Sequence, residues 1–148
     1  MNLSMLIALV LLNPHLNSQS AEAMIPSEFE GVWAISAVTE DGVAQPAPED
    51  SVAGADADVE IVICENRVVL VRHDGSSMVC KAKVVDTEPE LKLELTTGIC
   101  HDKKGDKSYA LLKRNGDELI FACVLPEMRV IDFQKGSGQI VMTATPQN

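Results

Sequence analysis

From Val59 onward the chain is a succession of short runs of β-forming residues, each closed by a turn signal. None shows the three- and four-residue apolar spacing of an amphipathic helix. The plainest run is Leu91 to Thr96, where Leu91, Leu93 and Leu95 alternate with Lys92, Glu94 and Thr96. That is the pattern of a strand with one dry and one wet face. Val59 to Cys64 and Arg67 to Arg72 flank a tight turn at Glu65-Asn66, and Asp74-Gly75 turns the chain into Met78 to Val85. Glu88-Pro89 ends that run. Ser108 to Lys113 leads to Asn115-Gly116, a strong hairpin signal, and on into Leu119 to Leu125. Arg129 to Phe133 and Gln139 to Thr143 complete the series. Upstream, Val32 to Thr39 reads as a strand. A short helical turn precedes it at Ser27, Glu28, Phe29 and Glu30, whose spacing fits a capping box. Between Glu40 and Asp58, two prolines, two glycines and several acids without periodicity predict a long loop, of a length usual for lids. About eight short strands at this spacing predict an all-β fold, an antiparallel barrel or sandwich.

The first residues read as an address. Leu3 to Leu12 is apolar except for Ser4, too short to span a bilayer as a helix but suited to the apolar stretch of a signal peptide. Ala21, Glu22 and Ala23 supply the small-x-small cleavage pattern. The expected division is therefore a signal peptide over 1–23 and one domain over 24–148, exported to a periplasm or secreted. No later run is long and apolar enough to predict a membrane-spanning helix. With 22 acidic against 12 basic residues the net charge is −10, which repels phosphate backbones and argues against nucleic-acid binding. Aromatic residues make up only 3%, too few for a stacking platform.

The order of motifs resembles a known family, the planctomycete lipocalin-like domain of unknown function. Gly31-x-Trp33 opens the first strand, and an Asp-Gly turn follows at Asp41-Gly42. Pro89 precedes the alternating strand. Then come the Tyr109 strand, the Gly116-Asp117 turn and the Leu119 to Cys123 strand. Arg129 and Phe133 hold the spacing of an Arg-Pro-x-x-Phe element, although Val130 replaces its proline. The resemblance implies an antiparallel up-and-down, lipocalin-like β-barrel. Trp33 would plug one end, and an arginine from a late strand, Arg129, would lie across it. It implies no catalytic activity.

An eight-stranded barrel is filled by its own side chains or holds one small ligand. The expected inward residues are Val59, Ile61, Ile63, Met78, Ala82, Val84, Leu91, Leu93, Phe121, Ile140 and Met142. This lining would suit a small apolar molecule, with Met78, Val84, Leu93, Phe121 and Met142 as candidate contacts. An alternative use of such a chain is a protein-interaction or inhibitor module whose acidic loops meet a basic partner. Four cysteines in an exported chain invite disulfides, and strand directions favour Cys80 with Cys100. Cys123 shares the phase of Leu119 and Phe121 and suits burial. Cys100-His101 with Cys80 or His73 lacks the spacing of a metal site, so neither metal nor cofactor is expected. Cys100, His101 and Asp102 are consecutive and cannot converge as a catalytic triad. No motif of a hydrolase, phosphate loop or dinucleotide site is present, so no catalytic residues are assigned.

Overall fold

The alternation written in the sequence is met strand by strand in the computed structural model, which describes residues 21–46, 58–97, 107–124 and 139–148. After a 3₁₀ turn at Ser27–Phe29 come β1 (Gly31–Glu40), β2 (Val43–Ala44), β3 (Asp58–Cys64), β4 (Arg67–Arg72) and β5 (Ser77–Asp86). Then follow β6 (Leu91–Thr97), β7 (Lys107–Asn115), β8 (Glu118–Val124) and β9 (Gln139–Pro146). Every pairing is antiparallel, each strand lies beside its sequence neighbour from β3 to β9, and β9 returns to pair with β1. Eight strands thus close an up-and-down barrel, with β2 as an extra strand paired to the end of β1 at Thr39 and Glu40. Val43–Ala44 falls inside the expected loop. Asp41 and Gly42, at φ of 48° and 80°, make the hairpin that folds it back onto Thr39 and Glu40. The remainder of that loop, the expected strand Arg129 to Phe133, and residues 1–20 of the expected leader lie outside the described residues.

Two bulges decide which side chains face inward. Trp33 and Ile35 are buried on β1, and the register then slips between Ile35 and Ala37, so the inward phase resumes at Val38. On β3 the slip lies between Asp58 and Glu60. Val59, expected inside, is therefore the bulged residue, and Asp58 takes the inward phase opposite Arg72. The other expected interior positions face the core. Ile61, Ile63, Ala82, Leu91, Leu93, Phe121 and Met142 are buried, and Met78, Val84 and Ile140 are partly buried against them.

The expected capping box does not form. Pro26 occupies the cap position without a side-chain bond, and the Glu30 carboxylate instead accepts the N–H of Glu65 across the barrel end. What fixes the incoming chain is Asn66. Its Oδ1 accepts the Ile25 N–H at 3.0 Å, its Nδ2 donates to the Ala23 carbonyl at 3.2 Å, and its own carbonyl accepts the Ala82 N–H. Asn66→Ala removes both side-chain bonds and leaves a part-buried N–H unpaired. The expected loss is about 1–2 kcal/mol, read as a lower denaturation midpoint together with faster proteolysis before Ile25. Unchanged proteolysis there would show that Asn66 does not anchor the segment.

Candidate functional site

The two ends of the barrel are built differently. Where β1 begins and β9 finishes, Ile25 and Phe29 pack into the opening and the Trp33 ring closes it at 3% exposure. Trp33 Nε1 donates to the Phe29 carbonyl at 3.0 Å, which satisfies the buried indole N–H. The strands are joined at this end by short turns, at 65–66, 87–90 and 116–117. A guanidinium lies over the indole, 4.8 Å from the ring centroid, and it belongs to Arg114. Arg114 also donates to the carbonyls of Glu28 at 2.6 Å and Gly116 at 2.9 Å, tying the 3₁₀ turn to the β7–β8 hairpin. Arg129 and Phe133, the residues expected here, lie outside the described residues. Arg114 carries its own sequence signal, since it shares the inward phase of the buried Ala110 and Leu112.

At the opposite end the interior is less covered. Val38, Met78, Cys123 and Ile140 face inward from β1, β5, β8 and β9, yet each is only partly buried. All four lie near the strand ends at this rim: Ile140 lies opposite Cys123, Val38 opposite Met142, the next inward residue of β9, and Met78 opposite Leu70. Beside them the bulge at Val59 sets Asp58 against Arg72, with Arg72 Nε 3.8 Å from the carboxylate. Burial is the larger influence on Asp58 and raises its carboxyl above the ordinary carboxylate value, against the lowering effect of Arg72. The strands are joined here by the turn at 73–76 and by segments 47–57, 98–106 and 125–138, which lie outside the described residues.

Cys80 points into the barrel and is 2% exposed, and its thiol is free. The expected pairing with Cys100 is therefore not formed. The phase of β5 turns Cys80 into the core with Ala82, and Cys100 itself lies outside the described residues. Burial raises the Cys80 thiol, and Cys123 is pushed up to about 12 by burial first and then by the negative charges of Asp58 and Cys80. Such thiols stay protonated and are poor nucleophiles. Cys64, at the plugged end, is free and exposed. In the folded protein at neutral pH, iodoacetamide is expected to alkylate Cys64 while Cys80 and Cys123 remain intact until denaturant is added. Labelling of Cys123 as fast as Cys64 would contradict its burial. The raised thiols also set a sign for stability: folding is favoured below the ordinary thiol pKa, and that contribution is lost as pH rises toward about 12.

The five candidate ligand contacts separate by depth. Leu93, Phe121 and Met142 are buried within the filled middle, with Met142 directly opposite Phe121, and Met78 is partly buried nearer the rim. Val84 lies toward the plugged end, opposite Leu93 and one residue before the register slip that leads to Asp86. Among the described residues, no three His, Cys, Asp or Glu side chains come together as metal ligands. What sequence patterning missed is the Asp58–Arg72 pair, because the bulge that turns Asp58 inward leaves no mark on the alternation. Compared with protein-family models, curated proteins and solved structures, the chain matches none.

Proposed function

We propose that this chain is an exported, lipocalin-like, non-enzymatic barrel that takes a small apolar ligand through the end bearing Met78 and Ile140. The observation that supports this most is the gradient of burial along the interior. Apart from Val84, the inward apolar residues between Trp33 and Phe121 along the barrel axis are buried, whereas Val38, Met78, Cys123 and Ile140 near the opposite rim are only partly buried. Apolar side chains left half-covered at the mouth of a barrel gain about 25 cal/mol for each Å² an apolar ligand covers. The Asp58–Arg72 pair beside them gives that mouth a polar edge. The buried thiols of Cys80 and Cys123 are raised and stay protonated, so they offer a ligand in the interior an apolar contact rather than a thiolate.

Native mass spectrometry of the protein purified from its own host tests the proposal. The expected result is extra mass that is lost under denaturing conditions, with the denatured chain beginning at Met24. Ile140→Lys, which places a charge in the half-covered layer, is expected to reduce the carried fraction at least tenfold while leaving the barrel folded by circular dichroism. A bare mass from the native host, or carriage indifferent to Ile140→Lys, would overturn it.

A further inference from the structure

Most acidic side chains of the described strands and turns are exposed, but the bulge at Val59 turns Asp58 inward at the end opposite the Trp33 plug. Its side chain is 26% exposed. Burial raises its carboxyl and the Arg72 charge lowers it by less, with no hydrogen bond contributing. Arg72 Nε stands 3.8 Å away, longer than a hydrogen bond. That guanidinium is also shared. It acts on Asp74 in the turn after β4, whose carboxylate is held down first by its hydrogen bonds with Ser76 and in smaller part by Arg72. The Asp58 charge is felt inside the barrel as well: after burial, it is the next cause of the raised Cys123 thiol on β8.

The rim around Asp58 has a negative bias. Glu40 and Asp41 lie where β1 ends, and Asp74 lies between β4 and β5. Lys107, at the same end, is 3.1 Å from Glu94, and Arg72 is divided between Asp58 and Asp74. An apolar molecule entering past Val38, Met78, Cys123 and Ile140 therefore meets a half-buried carboxylate whose charge is incompletely matched. We infer, on the proposal that the barrel takes an apolar ligand, that this ligand is a monocation: an apolar body bearing one ammonium group, with its nitrogen at the Asp58 carboxylate and its hydrocarbon on the partly buried rim residues. An ammonium offers the carboxylate the charge-assisted hydrogen bonds it lacks. The acidic rim and the net charge of −10 draw cations toward this mouth. A ligand of the same length with a carboxylate head meets that field with the wrong sign.

Isothermal titration calorimetry of the intact protein at neutral pH tests this, with octylamine, octanol and octanoate as probes that share a chain and differ in head group. Octylamine is expected to bind at least tenfold more tightly than octanol, and octanoate more weakly than either. Asp58→Asn should abolish the preference for the amine over the alcohol, whereas Asp58→Glu should keep it. Arg72→Gln, which removes the competing cation, should widen it. Equal affinity for amine and alcohol, octanoate as the tightest probe, or a preference that survives Asp58→Asn overturns the inference and leaves the apolar site standing. Binding of none of the three overturns the apolar site itself, and the inference with it.

Discussion

Phe121→Ala is expected to lower the unfolding free energy by about 3–5 kcal/mol, the cost of emptying a fully enclosed aromatic site. The ring is 0% exposed, and its neighbours across the sheet are Leu112 on β7 and Met142 on β9, both buried. Strands hydrogen-bonded on both sides cannot collapse into the vacancy, so most of the cavity persists. For a domain of this size, that loss corresponds to a fall of roughly 10–20 °C in Tm, measured by far-ultraviolet circular dichroism. Phe121→Leu keeps much of the volume and should cost about 1 kcal/mol. A fall of only two or three degrees for alanine would mean that the interior is hollow at this level, and that the ligand site reaches deeper than the Met78–Ile140 layer.

Trp33→Ala is expected to cost a similar amount, about 3–5 kcal/mol, for reasons that Trp33→Phe can separate. The indole fills the barrel end, donates to the Phe29 carbonyl and lies beneath the Arg114 guanidinium. Alanine removes all three contributions. Phenylalanine keeps a ring but loses the N–H and offers the cation a weaker face. The expected cost of Trp33→Phe is about 1–2 kcal/mol, from one buried hydrogen bond and part of the cation–π attraction. Arg114→Ala in the Trp33→Phe background should then cost less than Arg114→Ala alone, because the contact has already been weakened. Strict additivity of the two changes would show that the guanidinium is held by the Glu28 and Gly116 carbonyls without help from the ring.

The strands of this barrel are legible in sequence because one face of each is wet. Leu91, Leu93 and Leu95 against Lys92, Glu94 and Thr96 define a strand whatever its neighbours are, and β6 spans Leu91–Thr97. Legibility ends where the period is interrupted. Val59 reads as core only if alternation runs unbroken to Asp58, and the bulge breaks it. Val43–Ala44 is too short for any pattern and exists because Asp41-Gly42 folds it onto β1. The plug shows a different limit. Trp33 is an evident candidate to close an end, but its cation comes from Arg114, six strands later in the chain order. Only the inward phase of Ala110 and Leu112 points to that choice. The cysteines are read differently again: Cys80 in phase with Ala82 belongs to the core, and that phase competes with the expectation of a disulfide.

The closing pair, β1 with β9, has a consequence in time. From β3 to β9 every contact around the ring joins strands consecutive in the chain, and β1 meets β3 across only the short β2 and its connections, so each can form soon after its strands exist. The pairing of Trp33 with Pro146 unites residues near the two ends of the described chain, and it bears the largest loop-closure cost of the fold. While the protein is being made, seven strands wait with an open edge on each side until Gln139–Pro146 has been synthesised. The last strand is therefore the one that turns a curved sheet into a sealed molecule, and a chain truncated before it would present both edges at once to any neighbour able to pair with them.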